Sequence, residues 1–294
     1  ELRKHPYCIF HKEKQPHTPA HDDTLLNSHI LFRKKFSVGE FEKCNIHISA
    51  DDYYFLYING KFVGSGPSPA YPWHYYYNDI DISEYVTIGE NTIAVHTYYQ
   101  GLINRVWVSG DHRHGLICQV FCDGNEVLAS DGSFKCARHS AYGVHDIAVN
   151  GHKTLFCETI DSNSKEIGFE QPDFDDSGWQ YARKREHVDY TLCRQSAPML
   201  VHYKIKPQTI TKDKNGIFID IGREIIGYLN VVAKGNKNDT LTVRYGEELN
   251  DDGSVRYNMR CNCLYEDRWI LSGKTDSFCA FDYKGFGYAQ ILMP

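Results

Sequence analysis

The sequence has little of what membrane-spanning and nucleic-acid-binding proteins need. Its apolar runs stop well short of the about 18 to 20 residues that a membrane-spanning helix requires, and no charged segment followed by an apolar stretch opens the chain. The net charge is −6, and basic residues are interspersed with acidic ones, so a positive stripe able to neutralise phosphates is missing. We therefore expect neither a membrane nor a nucleic acid as a partner.

The motifs of common catalytic and cofactor sites are missing as well. Ser65 lies between Gly64 and Gly66, outside the Gly-x-Ser-x-Gly frame that exposes a nucleophilic serine, and the chain has no glycine-rich phosphate loop. The segment Asp111-His-Arg-His114 offers two imidazoles, but the flanking glycines indicate a turn and no third ligand is evident. The sequence predicts no metal, no cofactor and no catalytic residue.

Helical periodicity is scarce, whereas strand signals are abundant. Aromatic residues make up 14% of the chain and 21 residues are tyrosine, a composition that favours β-strands. The apolar run Tyr53–Ile58 is followed by Asn59-Gly60, the dipeptide preferred by the tight type I′ turn of a hairpin. Because this run is apolar without alternation, we expect a strand that is buried on both faces and central in its sheet. The sequence predicts an all-β fold.

A second turn, Gly89-Glu-Asn91, leads into the apolar segment Thr92–Tyr98 and completes the pattern of a jelly-roll sandwich, a fold that commonly carries or binds sugars. Strands and turns recur to about residue 160, and the pattern loosens from there to Pro198. A second strand-rich block follows, in which Thr240–Tyr245 alternates polar and apolar residues. We predict two successive antiparallel β-sandwich domains, with an irregular lead-in at residues 1–29, a jelly-roll module at 30–195 and a second sandwich at 196–294.

The segment Ser65–Tyr77 is rich in proline and aromatic residues. Its three prolines cannot donate ladder hydrogen bonds, so we expect a loop along an edge or mouth of the first sandwich. Trp73, Tyr75 and Tyr77 are candidates for carbohydrate binding, because sugar rings stack on aromatic faces that have polar neighbours. The alternative is a hydrophobic plug that closes one end of the sandwich, and the sequence leaves both open.

Glu247 and Glu248 form the most crowded acidic cluster, together with Asp251 and Asp252. An enzyme could use such a pair as general acid and general base. Adjacent residues of a strand point to opposite faces, however, so the two glutamates cannot serve one substrate unless a bulge intervenes. The run Asp251-Asp-Gly253 is typical of a turn. We expect structural roles here, with one glutamate hydrogen-bonding at an interface with a further domain.

The ten cysteines are scattered through strand-like segments instead of framing a short, loop-rich scaffold. This distribution favours reduced thiols and a cytoplasmic location. The spacings Cys261-x-Cys263 and Cys118-x3-Cys122 look like metal half-sites. Residues at such spacings on a strand share one face, however, and buried free cysteine behaves as a small hydrophobe. We expect these cysteines to pack without a metal.

Two sets of motifs follow one another along the chain. The first set comprises Tyr57–Gly60, Asp79–Asp81, Gly89–Asn91 and Phe174–Trp179, and the second comprises Asp220–Gly222, Gly227-Tyr228, Tyr245–Leu249, Asp252-Gly253 and Tyr283–Phe286. The first set resembles the N-terminal module of bacterial α-L-rhamnosidases, the glycoside hydrolases that remove terminal rhamnose. The second resembles the concanavalin-like sandwich that precedes their catalytic domain. The resemblance covers most of residues 30–292, and it departs from the family at Arg223, where glutamine is usual, and at Gly287, where arginine is usual.

The resemblance implies that hydrolysis belongs to a helical (α/α)6 domain on the C-terminal side of these sandwiches. There, two carboxylates act with inversion across a gap of about 6.5 to 9.5 Å. We expect the chain to be a piece of such an enzyme that supports the catalytic domain or contacts carbohydrate, and that hydrolyses nothing alone. Two alternatives remain: a free-standing lectin-like module, or the front end of a β-galactosidase or β-glucuronidase relative whose next domain is a (β/α)8 barrel.

Overall fold

A computed structural model describes residues 27–70, 74–101, 114–143, 149–150, 155–184, 191–213, 216–260 and 263–293 of the 294-residue chain. The regular elements in these ranges are strands, which confirms the predicted all-β class. In chain order they are β1 (Ser28–Val38), β2 (Cys44–Asp51), β3 (Tyr53–Ile58), β4 (Lys61–Gly66), β5 (His74–Asp81), β6 (Gly89–Tyr99), β7 (Gly115–Cys122), β8 (Asn125–Ala129), β9 (Lys135–Arg138), β10 (Val149–Asn150), β11 (Leu155–Phe156), β12 (Thr159–Asp161), β13 (Gln180–Tyr181), β14 (Thr191–Arg194), β15 (Thr209–Asp213), β16 (Gly216–Gly227), β17 (Asn230–Lys234), β18 (Thr240–Gly246), β19 (Asn258–Met259), β20 (Cys263–Leu264), β21 (Glu266–Ile270), β22 (Thr275–Cys279) and β23 (Lys284–Leu292). Within the described ranges, no helix is long and apolar enough to cross a membrane.

The first of two compact units contains the residues up to His139 together with Gly168–His202. It has a six-stranded sheet in the order β13-β9-β1-β6-β3-β4 and a five-stranded sheet in the order β14-β5-β2-β7-β8. Apolar side chains of both sheets form one buried cluster, which includes Ile46, Leu56 and Val120. Burial of these inner faces is the main stabilising contribution expected for a sandwich.

The predicted hairpin is present, but it lies at one end of the six-stranded sheet, where β4 is the edge strand. Strand β3 pairs with β4 on one side and with β6 on the other. It is therefore an interior strand, but the expectation that it is central is wrong, because only β4 lies beyond it. Asn59 and Gly60 both have positive φ, at 51° and 77°, which matches the type I′ turn that this dipeptide favours. The Asn59 side chain also donates to the Tyr85 carbonyl and to Asn91 Oδ1, so the turn is tied to the loop before β6 and to the start of β6 itself.

The second unit contains Ser140–Ile167 and the residues from Tyr203 onward. Its main sheet has the order β12-β21-β18-β23-β16-β15, and β17 pairs with β22 in a separate ladder. Trp269, Tyr245, Phe278 and Phe286 are fully buried in its core. The stretch 140–167 belongs here, although the predicted boundary assigned it to the first module. The physical reason is that β12 pairs in parallel with β21, an interaction that no local sequence pattern indicates.

Two of the cysteine predictions need correction or restriction. Cys44 and Cys122 face each other across β2 and β7 and form a disulfide, so the expectation of reduced thiols is wrong for this pair. The antiparallel register brings both side chains to the same core face. Cys118 is a buried free thiol, whereas Cys261 lies outside the described residues.

Candidate functional site

Strand β5 presents a polar and aromatic face on the five-stranded sheet of the first unit. Alternation along the strand turns Asn78 toward the interior, where only 2% of its surface is exposed, and turns Tyr75, Tyr77 and Asp79 outward. The expectation that this region is a loop is wrong for Tyr75 and Tyr77. The last proline of the segment is Pro72, and nothing after it prevents ladder hydrogen bonding.

Three aromatic rings from three neighbouring strands touch on this outward face. The His47 ring on β2 lies between Tyr77 on β5 and Phe121 on β7, with a centroid distance of 5.2 Å to each. All three side chains are half-buried. Their inner portions pack on one another and leave ring surface exposed, which gives a strip of partly exposed rings on this sheet face.

A hydrogen-bonded polar group flanks the ring strip. Asp79 accepts a hydrogen bond of 3.0 Å from Asn45 Nδ2, and its other oxygen lies 3.2 Å from Arg194 Nη2. Nε2 of His47 lies 3.6 Å from the same carboxylate. The Arg194 side chain remains 66% exposed, so a guanidinium with free donor capacity stands at the side of the strip.

An open groove of about 480 Å³ lies at the β14 edge of this sheet, and its lining includes Asn78, Asp79, Arg194 and residues 195–199. Hydrogen bonds fix its floor. Asn78 donates to Gln195 Oε1 at 2.9 Å, and Asn78 Oδ1 accepts from the Tyr54 hydroxyl at 2.6 Å. The site therefore combines rings, amides and a guanidinium whose positions are set by the sheet register.

The structure places the predicted carbohydrate-binding residues unequally. Tyr77 belongs to the ring strip, whereas the Tyr75 hydroxyl donates to Asp51 at 3.3 Å. Trp73 lies outside the described residues. Sequence reasoning missed His47 and Phe121, which are far apart along the chain. The available signal was the alternation of polar and apolar residues in β2 and β7, which marks their outward positions.

Glu247 and Glu248 lie in the second unit, in a bend directly after β18. The expectation that they alternate on a strand is wrong, because the strand ends at Gly246. Glu248 forms an ion pair with Arg256 Nη1 at 2.5 Å, and its side chain stays 67% exposed. The following Asp252 accepts hydrogen bonds from the backbone and hydroxyl of Ser254, which is the turn chemistry that the sequence predicted.

The histidine pair weighed as a metal site is described only in part. Asp111 to Arg113 lie outside the described residues. Nε2 of His114 lies 3.1 Å from Thr97 Oγ1, and the ring stacks on Tyr99. Burial lowers the pKa of His114 to about 3. In the part of the chain that the structure describes, no cluster of three or more histidine, cysteine, aspartate or glutamate residues could hold a metal ion.

Comparison with known proteins relates both units to one family. The alpha-L-rhamnosidase N-terminal domain matches residues 39–203, and the bacterial alpha-L-rhamnosidase concanavalin-like domain matches residues 210–293. An alpha-L-rhamnosidase of Streptomyces avermitilis is 23% identical over 266 residues, which cover 85% of this chain and 25% of that protein.

Solved structures show the same fold. The alpha-L-rhamnosidase of Dictyoglomus thermophilum has a TM-score of 0.72 at 24% identity, with 90% of this chain and 30% of that chain covered. The Streptomyces avermitilis enzyme complexed with L-rhamnose has a TM-score of 0.70 at 21% identity, with 92% and 27% covered. The chain thus spans between a quarter and a third of the length of these relatives. Since the two matches follow one another over most of its length, the chain belongs to the bacterial alpha-L-rhamnosidase family, of which it contains the N-terminal and the concanavalin-like domains.

Proposed function

We propose that the chain is the non-catalytic front part of an enzyme that removes terminal α-L-rhamnose. The observation on which this rests is the ordered match of two non-catalytic rhamnosidase domains in a chain that spans only 25% to 30% of its relatives. Hydrolysis then belongs to the remaining part of the enzyme, which we expect to be the helical domain. The concanavalin-like match favours this assignment over a β-galactosidase relative.

The described residues are compatible with a supporting role. The carboxylate beside the ring strip, Asp79, already binds Asn45 and Arg194. In the second unit, the Glu248 carboxylate is likewise occupied, by an ion pair with Arg256. An inverting hydrolase needs two carboxylates across one substrate, at the spacing that admits a water molecule. We therefore assign the chain no acid–base role of its own.

The test compares the 294-residue chain with the same chain extended by the rest of the parent gene. Both are incubated with an aryl α-L-rhamnoside, and the released aglycone is measured. We expect release by the extended protein and none above background by the chain alone. Enzyme-like release by the chain alone would overturn the proposal, and so would an extended protein that folds but releases only another sugar.

We further propose that Glu247 and Glu248 contact the catalytic domain in the extended protein. Both follow β18 in an exposed bend, and Glu248 is held in place by Arg256. In the extended protein, E247K should lower the thermal midpoint, while the same substitution in the present chain should leave the midpoint unchanged. A matched control is E224K, at an exposed position of β16. Equal effects of E247K in both proteins would refute the contact.

A second candidate function is carbohydrate contact through the outward face of β5. The specific observation in its favour is the exposed ring strip of His47, Tyr77 and Phe121 beside hydrogen-bonded polar groups. Rings supply apolar contact to the C–H face of a sugar, and amides or guanidinium groups supply hydrogen bonds to its hydroxyls. If such binding occurs without any link to rhamnoside hydrolysis, the lectin-like alternative is favoured.

A further inference from the structure

The ring strip is part of a regular diagonal across the five-stranded sheet. Leu192 on β14 lies opposite Tyr75, and Tyr77 is two residues further along β5. His47 lies opposite Asp79, again two residues from Tyr77. The same offset recurs at the next strand, because His47 lies opposite Gln119 and Phe121 is two residues further along β7. Leu192, Tyr77, His47 and Phe121 therefore form a line that crosses four adjacent strands obliquely.

This line is long compared with a single sugar ring. Diagonal neighbours on a sheet face lie about 7 to 8 Å apart at their Cα atoms, so three such steps separate Leu192 from Phe121. The side chains lean together, as the 5.2 Å centroid distances on both sides of His47 show. At the β14 end, the Leu192 side chain is 37% exposed. The result is a line of partly exposed side chains that is longer than one sugar ring and that can serve as an apolar floor.

A second, polar diagonal runs beside the apolar one. Arg194 lies opposite Tyr77, and Asn45 lies one diagonal step beyond Asp79 on β2. The three side chains are joined, since Asp79 accepts from Asn45 at 3.0 Å and pairs with Arg194 at 3.2 Å. An extended molecule on the apolar floor would thus meet hydrogen-bonding groups along one of its sides.

The charges of the polar diagonal indicate what kind of molecule fits. The Arg194 guanidinium and the Asp79 carboxylate neutralise each other, so the face offers no excess positive charge for a phosphate or a sugar acid. It keeps amide and guanidinium donors for hydroxyl groups. A neutral, hydroxyl-rich chain with apolar ring faces satisfies both diagonals.

We infer that this face binds an extended neutral oligosaccharide that lies along the Leu192–Phe121 diagonal and contacts more than one sugar ring. The inference deepens the carbohydrate contact proposed above and rests on it. It assigns His47, Phe121, Leu192 and Arg194 to a binding site together with Tyr77. Because successive rings occupy successive strands, affinity should grow with the number of linked sugars until the diagonal is filled.

The test is calorimetry of the 294-residue chain with α-linked L-rhamnose oligomers of increasing length, from the monosaccharide to the tetrasaccharide. We expect affinity to rise about tenfold or more from the monosaccharide to the trisaccharide. Tyr77→Ala and Phe121→Ala should each abolish most of this gain, whereas Tyr77→Phe should keep it. The matched control is Ile88→Ala, at a 67% exposed apolar position of the same unit outside the sheet face.

Several outcomes would overturn the inference. The first is that the chain binds none of the oligomers, and the second is that its affinity does not depend on oligomer length. The third is that Tyr77→Ala binds the oligomers as tightly as the parent chain does. Circular dichroism and the thermal midpoint establish that each variant is folded, and Tyr77→Phe separates loss of the ring from loss of the fold. A dimer seen by sedimentation that Tyr77→Ala dissociates would show that a second copy covers the face instead. Rhamnoside hydrolysis by the extended protein is measured separately, so the proposed function can stand if this inference fails.

Discussion

The Lys284 ammonium lies 2.8 Å from the Asp267 carboxylate in the interior of the second unit, with 5% and 0% of the two side chains exposed. The same carboxylate accepts a hydrogen bond of 2.9 Å from the Glu158 backbone amide. The Glu158 side chain in turn accepts from the backbone amides of Phe281 and Asp282, at 2.8 and 2.6 Å. Burial alone would lower the pKa of Lys284, but Asp267, Glu158 and Asp282 together raise it above its ordinary value. This cluster joins the stretch before β12 to β21 and to the start of β23.

Removal of the lysine should be strongly destabilising. Lys284→Met leaves Asp267 as a buried charge without its partner, and breaking a buried pair in this way costs about 3 to 5 kcal/mol. Urea unfolding followed by circular dichroism measures the change in the free energy of unfolding. The matched control is Lys274→Met at an exposed position before β22, where we expect a change within about 0.5 kcal/mol. Equal stabilities of the two variants would show that the buried pair contributes nothing.

The stability of the second unit should fall as the pH rises through the neutral range. Burial raises the pKa of Glu158 to about 8; Lys284 opposes this shift, and Asp267 and Asp282 add to it. Burial likewise raises the pKa of Asp282 to about 6. A carboxyl group whose pKa is higher in the folded than in the unfolded protein contributes its full stabilisation at a pH below the unfolded-state pKa, which is 4.5 for Glu158. This stabilisation is lost as the pH rises through the folded-state pKa.

The measurement is urea unfolding across this interval, from about pH 5 to about pH 9. Glu158→Gln keeps the side-chain shape without a titrating group, so its free energy of unfolding should decline less steeply over the interval than that of the parent chain. A matched control is Glu224→Gln, at an exposed position of β16, which should retain the parent slope. The same slope in the Glu158 variant would exclude this residue as the source.

Local sequence patterns predicted those parts of the fold that depend on residues close together in the chain. The Asn59-Gly60 hairpin and the pairing of β3 on both sides follow from turn preference and an unbroken apolar run. The parallel pairing of β12 with β21 could not be predicted, because its partners are more than a hundred residues apart. Of the three residues in the ring strip, only Tyr77 could be proposed from the sequence, for a related reason. Tyr77 is conspicuous in its own segment, whereas His47 and Phe121 become its neighbours only through the sheet register.

The disulfide was missed because the cysteine spacing of 78 residues gives no local sign of the pairing. The disulfide predicts that, after unfolding without reductant, thiol titration of the ten-cysteine chain should find at most eight free thiols. Reduction, or the double variant Cys44→Ala/Cys122→Ala, should destabilise the first unit by about 2 to 4 kcal/mol. Ten free thiols would refute the bond. Disulfides persist mainly in oxidising compartments, so a count of eight or fewer from protein isolated without reductant would also speak against the predicted cytoplasmic location.

Arg33 should be the anchor of the segment that follows Gly168 in the first unit. Its buried guanidinium donates to the carbonyls of Phe169 and Gln171 and pairs with Asp176 at 3.0 Å. Arg33→Met keeps much of the side-chain volume but leaves these acceptors without their donor, and we expect a loss of about 3 kcal/mol in the free energy of unfolding. Arg33→Lys should recover only part of it, because an ammonium cannot reproduce the fork of donors. Limited proteolysis should cut the segment 168–179 faster in Arg33→Met than in the exposed control Arg183→Met, and equal cleavage rates would contradict the anchoring role.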